Sequence, residues 1–130
     1  MNNSPELIDL YLRFKEAPSF VGLEEEILLP FLQLGRVVDY PGDSVILPKG
    51  SDIRYIYTFL EGEPVAFEEN LGKPVFWGLK ALVAPQTNTS ELVAPPEGSR
   101  VLVFPVARLI AFLNEAPDLL IALIKQTTKT

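Results

Sequence analysis

The stretch FWGLKALVAPQTNTSELV, residues 76–93, holds the side chains best placed to meet a ligand. Trp77-Gly78 reads as a turn leaving a strand. Leu79 to Val83 reads as about one helical turn, whose first backbone N–H groups lack partners within the turn and can face an anion. Lys80 puts a cation beside that start, or simply points to solvent. Thr87, Asn88, Thr89 and Ser90 form an uncharged polar cluster, suited to capping a loop or to lining a site for a neutral polar molecule. Trp77 is the one Trp of the chain and reads as core filling or as a stacking wall. No Arg falls between Arg54 and Arg100, so this stretch lacks the planar fork that grips a phosphate.

Other chemistries are excluded by residue type. The chain has no Cys and no His. That removes zinc held by those ligands, Ser-His-Asp and Cys-His catalysis, and any disulfide framework. Glu24, Glu25 and Glu26 read as a solvated helix start, and no acidic constellation has the spacing of a hard-cation site. Acids outnumber bases 17 to 11, for a net charge of −6, which disfavours nucleic acid and anionic membrane surfaces. The N-terminal MNNSPELIDL has neither the basic start nor the apolar run of a signal peptide, and the longest apolar run, LLIALI at 119–124, is too short to cross a bilayer. The expectation is a cytoplasmic protein without metal or cofactor.

The elements that would position these residues change texture twice. Ser4-Pro5-Glu6 opens a helix in which Leu7, Leu10, Tyr11 and Phe14 recur at helical spacing, and Pro18 closes it. LEEEILLPFLQL forms a second helix after Gly22. From Gly35 the segments RVVDY, SVILP, RYIYTFLEG, PVAFEE, KPVFW, SELVA and RVLVFP are short, β-branched and aromatic. Pro41-Gly42-Asp43, Pro48-Lys49-Gly50, Glu61-Gly62 and Asn70-Leu71-Gly72 mark turns between them. Tyr55, Tyr57 and Phe59 fall on one face of their strand, and Ile56, Thr58 and Leu60 on the other. A strand apolar on both faces lies inside a two-layer structure. After Pro105, VARLIAFLNEAP is a helix ending near Pro117. DLLIALIKQTTKT is the last, with Asp118 as its cap. The expected fold is mainly β (α+β): one domain over 1–130, with helices in 1–34, strands in 35–105 and helices in 106–130. In the last helix Leu119, Leu120, Leu123 and Ile124 make an apolar run around the axis, either buried or shared with a partner.

This order resembles the cyclic nucleotide-binding domain family, the eight-stranded jelly roll (double-stranded β-helix) of catabolite-activator-type regulators, kinase regulatory subunits and gated channels. The resemblance rests on collinear signposts over about 100 residues. Phe20, Gly22 and Leu23 resemble the entry to the family's second helix. Tyr40-Pro41-Gly42-Asp43-Ser44-Val45-Ile46 resembles its first turn between strands. Lys49-Gly50, Tyr55-Ile56-Tyr57 and Glu61-Gly62-Glu63-Pro64-Val65 follow in order. Trp77-Gly78 to Leu82 resembles the start of its phosphate-binding cassette, Arg100 to Phe104 its last strand, and Phe112 with Asn114-Glu115-Ala116-Pro117 the approach to its final helix.

The resemblance implies a pocket lined by Trp77, Gly78, Leu79, Lys80, Ala81, Asn88 and Thr89, with two departures. The family cassette reads Phe-Gly-Glu-Leu-Ala, with an Arg before the next strand. Leu79 stands where the ribose-binding Glu is expected, and Asn88 where the phosphate-binding Arg is expected. A hydrogen bond to a charged group contributes about 1.5–3 kcal/mol. Losing two at the Arg position lowers affinity on the order of 100-fold or more. The implied function is a non-catalytic regulatory or interaction module that does not hold cAMP or cGMP tightly. Its final helix, Leu119 to Ile124, would form a homodimer or meet another protein. Three alternatives stand beside it. One is a sensor domain with a changed ligand, the front part of a transcription regulator whose basic helix-turn-helix would follow Lys129-Thr130. Another is a cyclic nucleotide binder that relies on backbone N–H groups and Lys80. The last is a cupin-like enzyme, whose usual His-ligated metal this chain cannot build.

Overall fold

The structure, a computed structural model, describes residues 4–17, 20, 22–64 and 75–128, with the side chains of 4, 5 and 124–128 outside that description. In chain order the elements are α1 (Ser4–Lys15), α2 (Glu25–Leu34), β1 (Arg36–Tyr40), β2 (Val45–Leu47), β3 (Tyr55–Glu61), β4 (Val75–Trp77), a 3₁₀ turn (Leu79–Leu82), β5 (Leu92–Val93), β6 (Ser99–Pro105), α3 (Val106–Leu113) and α4 (Pro117–Thr128). All strand pairings are antiparallel, in one sheet of order β1-β6-β3-β4 and a second of β2-β5.

This is the helix–strand–helix order expected from the sequence. Six strands lie among the described residues, against the eight of the resemblance. The expected strand over PVAFEE and the turn at Asn70-Leu71-Gly72 fall outside the described residues, as does Pro18. The last helix begins one residue earlier than expected. Pro117 takes its first position, where a missing N–H costs nothing, so Asp118 sits inside the first turn rather than capping it.

Strand β3 is the wall between two cores. On one face Ile56 joins a cluster built from the helices: Leu10 and Phe14 of α1, Leu28, Phe31 and Leu32 of α2, Leu109 and Leu113 of α3, and Leu119 and Leu123 of α4. On the other face Tyr57 and Phe59 join Ile46, Leu92, Ala94, Val101 and Val103 between the two sheets. β6 alternates in the same way, with Leu102 and Phe104 toward the helices and Val101 and Val103 inward. The two-faced reading of YIYTFLE therefore holds.

Aromatic rings tie the helical layer to the sheet. Phe31 stacks on Phe104 at 4.6 Å, and Phe14, Phe20 and Phe76 contact one another at 5.5–6.2 Å. Tilted and edge-on pairs of this kind add to area burial. At the surface, Arg13 of α1 donates to the Leu60 carbonyl and pairs with Asp9 and Glu61, while Arg100 of β6 pairs with Glu6 and Asp39. These pairs are half exposed and orient α1 more than they stabilise it.

The turns at the far end of the sheets need glycine at one close approach. Gly62 has φ 73°, and a β-carbon there would collide with the Gly98 carbonyl. Ser99 closes the same junction by donating its hydroxyl to the Gly62 carbonyl.

One polar atom in the helical core is unmatched. Thr58 is fully buried on the Ile56 face of β3, and its Oγ1 has no hydrogen-bond partner among the described residues. An unpaired buried hydroxyl is unfavourable by about 1–3 kcal/mol. Thr58→Val keeps the branched shape and removes the hydroxyl. It is expected to raise stability by about 1 kcal/mol, read as a higher midpoint in chemical unfolding. A lower midpoint would show that the hydroxyl has found a partner.

Candidate functional site

Three turns of chain decide where the residues of 76–93 point. Phe76 and Trp77 are consecutive in β4, so they face opposite sides. Phe76 pairs with Thr58 in register and packs into the helical cluster. Trp77 pairs with Tyr57, and the two rings meet edge to face at 5.7 Å against the inner cluster. The Trp is half-buried and sits at that cluster's margin. Of its two sequence readings, the packing one is what its contacts describe.

Gly78 then takes φ 97°, a left-handed conformation that favours glycine, and this swings the chain from β4 into the 3₁₀ turn. The N–H of Ala81 donates to the Gly78 carbonyl at 2.9 Å, and that of Val83 to Lys80 at 3.1 Å. Ala81 is buried in the helical cluster, and Leu79 and Leu82 pack against it. Leu79 therefore lies on the helical side of the sheet, on the layer that holds α3 and α4. Lys80 is exposed. Among its described neighbours it has no ion pair.

Asn88 is the most committed residue of the loop. It is buried, with 4% of its surface exposed. Its side-chain amide donates to the Leu47 and Pro48 carbonyls at 3.1 Å each, and its Oδ1 accepts from the Ser90 N–H at 3.4 Å. Its backbone N–H donates to Ser51 and its carbonyl accepts from Gly50, both at 2.8 Å. Asn88 thus clamps the Pro48–Ser51 turn between β2 and β3, while Thr87 bridges to Asp52 and Thr89 is exposed. No charge replaces an Arg here. The amide spends both donors on the backbone carbonyls of Leu47 and Pro48.

The inner cluster that a ligand would face is aromatic and aliphatic. Tyr40 and Tyr57 bring its phenols. Burial raises both pKa values, that of Tyr57 to about 12, where Tyr40 and Tyr55 add to the rise, while Arg36 partly offsets it at Tyr40. Neutral phenols in an apolar wall offer hydrogen bonds to a ligand but no positive charge to an anion.

The residues named for a partner surface separate in space. Leu119 and Leu123 are buried in the domain's own helical core, so they cannot meet a second chain, and the Ile124 side chain lies outside the described residues. The outward face of α4 carries Leu120, 41% exposed, and Ile121, 52% exposed. A groove of about 480 Å³ also opens between the 3₁₀ turn and α3, lined by Ile53, Leu82, Val83, Val106 and Ile110. Sequence reading missed it because its walls come from three separated segments. Among the described residues no acidic group could hold a metal ion, and no helix is long and apolar enough to cross a membrane.

Two outcomes follow from these contacts. Asn88→Ala removes both donors from the Leu47 and Pro48 carbonyls and is expected to destabilise the fold by about 1–3 kcal/mol in denaturant unfolding. Unchanged stability would mean that the amide is free for another task. For Tyr57, the folded pKa of about 12 lies above the ordinary 10.0. The stability tied to the neutral phenol is therefore complete below about pH 10 and lost as pH rises through about 12. Tyr57→Phe is expected to flatten that alkaline part of the stability curve.

No protein-family model matches the chain, and no curated protein matches it. Solved structures do. The N-terminal domain of a transcriptional regulator from Streptomyces coelicolor A3(2) aligns with a TM-score of 0.65 at 19% identity, over 89% of this chain and 87% of that one. The catabolite activator protein of Thermus thermophilus aligns with a TM-score of 0.68 at 20% identity, over 87% of this chain. The chain spans 57% of that protein's length. A candidate cyclic nucleotide-binding protein from Geobacter metallireducens GS-15 aligns with a TM-score of 0.67 at 21% identity, over 98% of this chain and 95% of that one. With its two antiparallel sheets and its flanking helices, the chain has the catabolite-activator-type fold of cyclic nucleotide-binding domains.

Proposed function

We propose that this chain is a non-catalytic regulatory or interaction module whose cassette does not hold cAMP or cGMP tightly. One observation carries the reading. The two positions that resemble the family's ligand-binding Glu and Arg are both committed to the fold, Leu79 to the helical core and Asn88 to the Pro48–Ser51 turn. A cyclic phosphate would meet Lys80, a point charge at the surface, and no guanidinium fork from this loop. In this reading the output surface lies on the C-terminal helices, with the outward Leu120 and Ile121 of α4 meeting a second copy or another protein.

A second reading has support in the solved structures. The similar Streptomyces chain is the N-terminal domain of a transcriptional regulator, and the Thermus protein is longer than the aligned region. The same module would then sense a different small molecule for a DNA-binding part.

Titration with cAMP and with cGMP, followed by Trp77 emission and by calorimetry, tests the first reading. Trp77 sits edge-on to Tyr57 at the inner cluster, so a ligand entering there changes its surroundings. The expected result is no heat and no spectral change up to about millimolar nucleotide. Binding at micromolar concentration would overturn the reading.

A further inference from the structure

We infer that the cavity where α1, the end of α2 and the head of β1 meet binds a small organic anion with an apolar body, such as a medium-chain carboxylate. This site is distinct from the cassette. It lies across the edge of the larger sheet, where β1 is the outermost strand.

Size, lining and charge each support it. The cavity measures about 670 Å³, within the range of small-molecule sites. Its apolar surface comes from the half-buried Leu7 of α1 and Leu34 of α2, with the buried Leu10 and Leu32 behind them. Its cations are Arg36, the first residue of β1, and Arg108 in the first turn of α3.

These two guanidinium groups differ from the other arginines. Arg13, Arg54 and Arg100 each have a carboxylate within 4 Å. Arg36 and Arg108 have none among the described residues, although the chain carries an excess of acids. Glu6 also lines the cavity, but its carboxylate is turned to Arg100 at 3.9 Å. Two unpaired planar forks beside a leucine wall match an anionic head on an apolar tail. An inorganic anion would leave the wall wet, and a neutral lipid-like molecule would leave both charges without a partner.

The test uses octanoate as the probe, with 1-octanol as the neutral match and inorganic phosphate as the anion without a tail, each followed by calorimetry. Octanoate is expected to bind at about millimolar concentration or below, and each control about tenfold more weakly or worse. Arg36 and Arg108 are exposed, so Arg36→Gln and Arg108→Gln should fold normally. Each is expected to weaken octanoate about tenfold, whereas Lys49→Gln, outside the cavity, should leave it unchanged. Absence of octanoate binding at about 10 mM would overturn the inference. So would equal binding of phosphate or octanol, or full affinity in the Arg36→Gln/Arg108→Gln double variant. Neither result of the cyclic nucleotide titration bears on this test, because the cassette residues do not line the cavity.

Discussion

The pairing of β3 with β6 is the constraint on which the rest of the structure depends. The two strands run antiparallel from Tyr55↔Pro105 to Glu61↔Arg100, and both are buried on both faces. Each supplies alternate side chains to the helical core and to the inner core. Two cores thus share one wall only two strands thick at its centre. A residue that changed sides by a register slip would move from one core to the other and empty its place in the first. The strand edges are then completed by β1 on the β6 side and β4 on the β3 side.

The helices depend on that wall through rings. Phe31 of α2 lies flat on Phe104 of β6, and Phe76 of β4 meets both Phe14 and Phe20. α3 is fixed at its first residue, since the Val106 N–H donates to the Arg54 carbonyl just before β3. The ring contacts lie within the one buried cluster that all four helices share with β3 and β6. Leu79, Ala81 and Leu82 of the 3₁₀ turn pack into the same cluster as Leu109 and Leu113 of α3.

The loop from Gly78 to β5 gives several of its side chains to the fold. Gly78 keeps the left-handed turn, and Trp77 keeps an aromatic ring at the margin of the inner core. Between Gly78 and β5, Leu79, Ala81 and Leu82 go to core packing and Asn88 to its clamp on the Leu47 and Pro48 carbonyls. Lys80, Val83, Ala84, Pro85, Thr87, Thr89, Ser90 and Glu91 are exposed. Two other cations, Arg36 and Arg108, line the cavity at the opposite edge of the sheet.

The sequence by itself determined the order of helices and strands, the turns at Pro41–Asp43 and Pro48–Gly50, the two-faced character of Tyr55–Leu60, and the absence of Cys and His chemistry. Those follow from local physics: proline and glycine punctuation, residue periodicity and side-chain type. Only the tertiary structure decided that Leu119 and Leu123 point into the domain's own core while Leu120 and Ile121 face out, since a helix apolar all round carries no signal of which side its neighbours take. It likewise decided that Asn88 holds the carbonyls of Leu47 and Pro48, about forty residues away in sequence, and that Arg36 and Arg108 share a cavity. Contacts between distant segments are set by how the layers pack, and no spacing along the chain records them.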